Sequence, residues 1–160
     1  VVPNVIKSLN DKRILKNIYQ QCTKNQKIIL ENFYNENNIN NLIFEFDSNI
    51  FEKIISADLV ITRSGASTLG ELVHLNKPFI AIPFSHAMDN HQMENARYYF
   101  ERGFCWIINQ KNFNKETLLN LINKIYNNRE DYLSKVKKMQ ATKKIIPFHI
   151  IQTEFDKLIK

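Results

Sequence analysis

Two short stretches carry the residue types that could do chemistry. The first runs Arg63-Ser64-Gly65-Ala66-Ser67-Thr68-Leu69-Gly70-Glu71 and follows the apolar run Leu59–Thr62. The whole chain of 160 residues has three glycines, and Gly65 and Gly70 are both here. A loop of this composition that feeds a helix offers backbone N–H groups without acceptors and the positive end of the helix dipole, which suits a phosphate or pyrophosphate. Gly65 would let the backbone turn and approach a ligand without a Cβ. The hydroxyls of Ser64, Ser67 and Thr68 would add donors. A second reading fits the same residues. Thr68 and Glu71 have the spacing of a capping box, in which the helix start satisfies itself. Spacing alone does not separate the two. Gly70 weighs towards function, because glycine in a helix costs about 1 kcal/mol relative to alanine. Close approach by a ligand, or by a packed neighbour, would offset that.

The second stretch, Pro83 to Ala96, reads PFSHAMDNHQMENA. Asp89 with Gln92 is again a possible capping box. His86, Asp89 and His91 do not have the spacing of a zinc site and no second cluster completes a shell, so no metal is expected. Asn90, His91 and Gln92 are placed to hydrogen-bond a polyhydroxyl ligand. His74 and His149 lie in helical patterns and read as structural, and Trp106 as core. The sequence has no G-x-S-x-G elbow, Walker loop or G-x-G-x-x-G.

These stretches need elements to position them. Strands are expected at Asn17–Cys22, Asn41–Phe46, Leu59–Thr62, Pro78–Phe84 and Phe104–Ile108. Helices are expected over Val2–Leu9, Asn25–Asn35, Asn49–Ser56, Thr68–Leu75, Asn90–Arg102, Lys115–Asn127, Arg129–Gln140 and Pro147–Leu158. In the second helix, Ile28, Ile29, Phe33 and Tyr34 supply the periodicity. The alternation predicts an α/β protein with a Rossmann-like parallel sheet, helices on both faces, and ligands beyond the carboxyl ends of the strands.

The totals fit one domain. Apolar residues make up 44%, and no run approaches the length of a membrane span. The start, VVPNVIKSLNDK, lacks the order of a signal peptide. Cys22 and Cys105 both lie in apolar runs and read as buried free thiols. The net charge of +6 is spread along the chain. The Lys pairs 137–138 and 143–144 are short, and aromatics do not interleave with them, so nucleic acid is not an expected partner.

The segment ADLVITRSGASTLGELVHLNKPFIAIPFSHAMDNHQMENA resembles the donor-binding domain of the MurG family of glycosyltransferases, which add N-acetylglucosamine to lipid I to make lipid II in bacterial peptidoglycan synthesis. The paired motifs S-G-A-S-T-x-x-E and D-N-H-Q-x-x-N-A carry the likeness. The resemblance implies the C-terminal half of a GT-B glycosyltransferase that binds UDP-N-acetylglucosamine and needs no cofactor. It places Ala66, Ser67, Thr68, Leu69, Gly70 and Glu71 along the nucleotide, with Glu71 accepting from both ribose hydroxyls. It places Gln92 on the sugar hydroxyls, with Asn90 and His91 nearby. Phe46 and Asp47 would flank the uracil, and Arg63 would position the loop, with Ser64 and Gly65 in it. It implies lipid I as acceptor and work at the cytoplasmic face of the bacterial inner membrane.

The family's donor domain opens with a strand and a glycine-rich loop of G-G-S-x-G-A type, and neither is in this sequence. The acceptor domain, with the histidine that acts as base, is not in it either. The chain is therefore expected to be the C-terminal part of such a protein, cut inside its donor domain. It is expected to be inactive alone and, with a central strand absent, less stable. Other readings are a donor subunit of a two-chain sugar transferase, a related UDP-sugar enzyme, or a non-catalytic UDP-sugar-binding module.

Overall fold

The computed structural model describes residues 1–84 and 90–142. The expected helix Pro147–Leu158, together with His86, Asp89, His149 and the Lys pair 143–144, lies outside them. The chain divides into two compact units, one of Val1–Ala57 with Lys111–Asn127, the other of Asp58–Gln110 with the chain from Asn128 on.

In the first unit the order is α1 (Val2–Asp11), β1 (Ile18–Gln21), α2 (Lys24–Glu36), β2 (Asn41–Phe44), α3 (Ile50–Ser56) and α6 (Lys115–Asn127). β1 and β2 form a parallel pair with Tyr19 opposite Leu42. α1 has proline in its first turn, where the missing N–H costs nothing. It buries Val5, Ile6 and Leu9 and packs on α2 and α6, where α6 buries Leu118, Ile122 and Ile125. In α2, Gln26 Oε1 accepts from the Thr23 N–H at 3.3 Å. Its buried stripe differs from expectation. Ile28 and Ile29 are each 69% exposed, while Tyr34 is buried and donates through its hydroxyl to Gln20 Oε1 at 2.6 Å. Both the Ile pair and the Phe33–Tyr34 pair suit a helical period, but it is Tyr34 that reaches the sheet.

In the second unit the order is β3 (Val60–Thr62), α4 (Ala66–His74), β4 (Phe79–Ala81), α5 (His91–Glu101), β5 (Cys105–Ile107) and α7 (Arg129–Thr142). The sheet is parallel, ordered β3-β4-β5, with Val60, Phe79 and Cys105 in register. Phe79, Ile80 and Ala81 of the central strand are fully buried, as expected for a strand covered on both faces. α7 is held by Trp106 Nε1, which donates to Asp131 Oδ2 at 3.0 Å. Lys135 completes this cluster, 3.4 Å from Asp131 Oδ1 and 4.6 Å above the Trp106 ring.

The strands are parallel and alternate with helices, as expected, but they form two sheets rather than one. Among the described residues β1 pairs with β2 alone, and β3 with β4 alone. Apolar periodicity shows that a strand is buried; it does not choose the neighbour whose ladder it joins. Of the two cysteines, both free, one differs from expectation. Cys105 is buried but Cys22 is only half-buried. Burial pushes the Cys105 thiol up to about 12.

Four helices end the same way. After α1, α2, α4 and α5 the next residue but one, Arg13, Asn38, Asn76 and Gly103, has a left-handed backbone. In each case its N–H and the following N–H bond back to the last turn, as with Gly103 to Phe100 at 2.8 Å and Phe104 to Tyr99 at 3.0 Å. A glycine-poor chain thus uses asparagine at two of these stops, because Asn tolerates the left-handed region better than most residues. At Gly103 φ is +72°, and a Cβ there would lie 2.6 Å from Lys138 Nζ. Gly103→Ala is expected to lower the stability of this unit by about 1–2 kcal/mol through left-handed strain. Gly103→Asn should cost less. Denaturant midpoints of the two variants check the order.

Candidate functional site

The candidate site lies at the carboxyl ends of β3 and β4, where the chain turns into α4 and α5. α4 starts at Ala66, two residues earlier than expected, with Gly65 at its N-cap and no side-chain cap. The Thr68–Glu71 capping box is therefore not formed. Thr68 is the third helical residue, and the exposed Glu71 sits in the second turn. The amides of Ala66, Ser67 and Thr68 have no intrahelical acceptor; the first helical bond here runs from the Leu69 N–H to the Gly65 carbonyl at 3.0 Å. The side chains of Ala66, Ser67 and Thr68 are exposed. Leu69 and Leu72 are fully buried and anchor the helix, so Leu69 can meet a ligand only through its backbone.

The two glycines differ in their surroundings. Gly65 has an ordinary extended backbone, φ −67°, and an added Cβ would meet only Thr68 Oγ1, at 3.9 Å. Its value is open space at the cap, not an unusual turn. Gly70 is the fifth residue of α4, past the first turn, and a Cβ there would lie 3.6 Å from the Tyr99 hydroxyl of α5. That is an ordinary contact distance, so the neighbouring helix leaves room for a Cβ there.

Side chains bind the strand ends together. The Arg63 guanidinium donates to the Ile82 carbonyl at 3.2 Å and to Gln110 Oε1 at 2.6 Å, and lies 5.4 Å above the Phe84 ring. Gln92 Oε1 accepts from the Ser64 N–H at 3.3 Å and the Phe84 N–H at 3.0 Å. Asn95 Nδ2 donates to the Ser64 carbonyl at 3.0 Å. Ser64 is wholly buried, and its Oγ has no partner among the described residues. Asn90 precedes α5 in a left-handed conformation, and Asn90 and His91 are both exposed. The expected Asp89–Gln92 capping box lies outside the described residues, because Asp89 does.

Phe46 and Asp47 belong to the first unit. Phe46 is 83% exposed. Asp47 is ion-paired with Lys53 and accepts from the Asn49 N–H at 2.7 Å. The Lys53 hydrogen bond, then the Asn49 amide, hold its carboxyl below the usual carboxylate range. Its bonds serve the entry to α3.

Reasoning from sequence missed Asn95 and Gln110. Asn95 had a signal, since it lies three residues after Gln92 and so on the same helix face. Gln110 had none, because only the fold brings it to Arg63. Among the described residues no group of three or more His, Cys, Asp or Glu is gathered as metal ligands would be. No helix among them is long and apolar enough to cross a membrane.

The sequence matches the family described as Glycosyltransferase family 28 C-terminal domain over residues 1–147. It is 41% identical over 140 residues to a UDP-N-acetylglucosamine--N-acetylmuramyl-(pentapeptide) pyrophosphoryl-undecaprenol N-acetylglucosamine transferase of Pelagibacter ubique, covering 88% of this chain and 39% of that protein. A Rickettsia felis protein of the same name is 35% identical over 130 residues, covering 80% of this chain and 36% of that protein. The crystal structure of Acinetobacter baumannii MurG superposes with a TM-score of 0.74 at 26% identity, over 87% of this chain and 40% of that one. The chain thus spans about two fifths of the relatives it matches. With its parallel β-α units and a match that runs through nearly its whole length, this chain belongs to the glycosyltransferase family 28 C-terminal domain family.

Proposed function

We propose that this chain supplies the donor site of an inverting N-acetylglucosaminyltransferase, which moves N-acetylglucosamine from UDP-N-acetylglucosamine to lipid I to form lipid II. The observation that carries this is the open N-terminus of α4, beyond the sheet's carboxyl end, in a chain so similar to a transferase of that name. The free amides of Ala66, Ser67 and Thr68, with the Ser67 and Thr68 hydroxyls, would meet the diphosphate. As the sugar–phosphate bond breaks, charge grows on the leaving UDP, and a helix N-terminus already in place stabilises it. Glu71 would accept from the ribose hydroxyls. Gln92, its Oε1 already engaged, can offer only its Nε2 to a sugar hydroxyl. Asn90 and His91 stand beside it, and Phe46 with Asp47 is proposed to flank the uracil. The domain reading goes with this one: residues 1–160 would form a UDP-sugar donor-binding domain. Lipid I and the cytoplasmic face of the inner membrane follow as acceptor and place of work.

A nucleotide titration followed by amide NMR tests the proposal. UDP is expected to shift and protect the Thr68 and Glu71 amides, and ADP much less. Equal responses to UDP and ADP would remove the uracil and ribose assignments.

A further inference from the structure

We infer that Gln92 and Asn95 are positioning residues, which fix the N-terminus of α4 by holding both backbone groups of Ser64. The β3–β4 ladder ends where the Ile82 N–H meets the Thr62 carbonyl at 2.8 Å. Beyond that point no further ladder bond joins the two strand ends among the described residues. Ser64 is nevertheless fully buried, so its N–H and C=O need partners from elsewhere. One face of α5 provides both. Gln92 Oε1 accepts from the Ser64 and Phe84 N–H groups, continuing across both strand ends the bonding that the sheet has stopped supplying. Three residues along, Asn95 Nδ2 takes the Ser64 carbonyl. Only Gly65 separates Ser64 from Ala66, the first residue of α4. Holding Ser64 therefore sets where the free amides of α4 point. The inference rests on the donor-site reading for its functional consequence and on the geometry alone for the clamp.

The two side chains work in opposite senses, and that makes the inference testable. Gln92 acts as an acceptor, so Gln92→Glu keeps what the clamp uses, while Gln92→Leu removes it. Asn95 acts as a donor, so Asn95→Asp sets a carboxylate against the Ser64 carbonyl. Hydrogen exchange measured by NMR is expected to show slow Ser64 and Phe84 amides in the wild-type chain and in Gln92→Glu. Both amides should become fast together in Gln92→Leu, with Phe79, Ile80 and Ala81 still protected. UDP should bind Asn95→Asp about tenfold more weakly than wild type, with those same strand amides unchanged. Should Asn95→Asp not fold, Asn95→Ala removes the donor without adding charge and gives the same comparison. Slow Ser64 and Phe84 amides in Gln92→Leu, or wild-type UDP affinity in folded Asn95→Asp, would overturn the inference. If the wild-type chain binds no UDP, the donor-site reading falls, and the exchange result alone decides the clamp.

Discussion

Glu71→Ala is expected to weaken UDP binding about a hundredfold, the largest change of any single side chain at the site. Glu71 stands in the second turn of α4, exposed. Among the described residues no hydrogen bond or ion pair engages its carboxylate, because the helix begins too early for it to reach back as a cap. An ionised carboxylate only accepts, and each of two neighbouring ribose hydroxyls has one O–H to donate, so the two carboxylate oxygens can take both. Each such charge-assisted bond is worth about 1.5–3 kcal/mol, with the low end appropriate to an exposed site, and losing two gives the factor stated. Alanine favours helix, so lost folding would not mimic the effect. Calorimetry with UDP and 2′-deoxy-UDP isolates the contact. Wild type should prefer UDP about tenfold, the value of one lost bond, and Glu71→Ala should show no preference. A preference that survives in the variant would assign the ribose to another residue.

The parts of this site differ in how far the sequence reveals them, and the difference is physical. The bounds of α6 were legible to the residue, because a long amphipathic pattern fixes its own period. Strand positions were legible but not strand ends. The expected strand Pro78–Phe84 forms a ladder only over Phe79–Ala81, although Ile82 and Pro83 remain buried. Apolarity reports burial, while the ladder ends where the partner strand turns away after Thr62. The start of α4 was misplaced for a similar reason. A glycine N-cap leaves no side-chain mark, and Thr68, already inside the helix, resembled a cap.

The stretch Arg63–Glu71 stood out from composition alone, since it holds two of the chain's three glycines. Gln92 was found, and the fold adds a task the sequence did not show, that of accepting from the Ser64 and Phe84 N–H groups. Whether a polar helix face looks to a ligand or to a neighbouring loop depends on where the fold sets that loop, and no spacing encodes it. The same holds for Arg63, whose partners Ile82 and Gln110 come from two other strand ends. Gly70 was marked as costly for a helix; the neighbour its Cβ would meet, the Tyr99 hydroxyl at 3.6 Å, lies nearly thirty positions away and only the fold brings it there.

The largest effect on stability is expected from Phe79→Ala, about 3–5 kcal/mol. Phe79 is fully buried in the central strand, between Val60 and Cys105. Its ring meets Tyr99 edge to face, with centroids 6.2 Å apart, a geometry worth about 0.5–1.5 kcal/mol beyond the area buried. Tyr99 in turn is the residue against which Gly70 packs. Removing the Phe79 ring therefore empties the core and withdraws the support beneath the α4–α5 contact. Small domains hold only about 5–15 kcal/mol in total, so the second unit would lose a large part of its margin. Trp106, the chain's single tryptophan, lies in the adjoining strand opposite Ile80 and reports on this unit alone. Its fluorescence through a urea titration should show the midpoint falling steeply in Phe79→Ala and far less in Phe79→Leu, which keeps most of the apolar volume. A loss below about 1 kcal/mol in Phe79→Ala would mean that the site collapses around the gap. The Tyr99–Gly70 contact would then not depend on the ring beneath it.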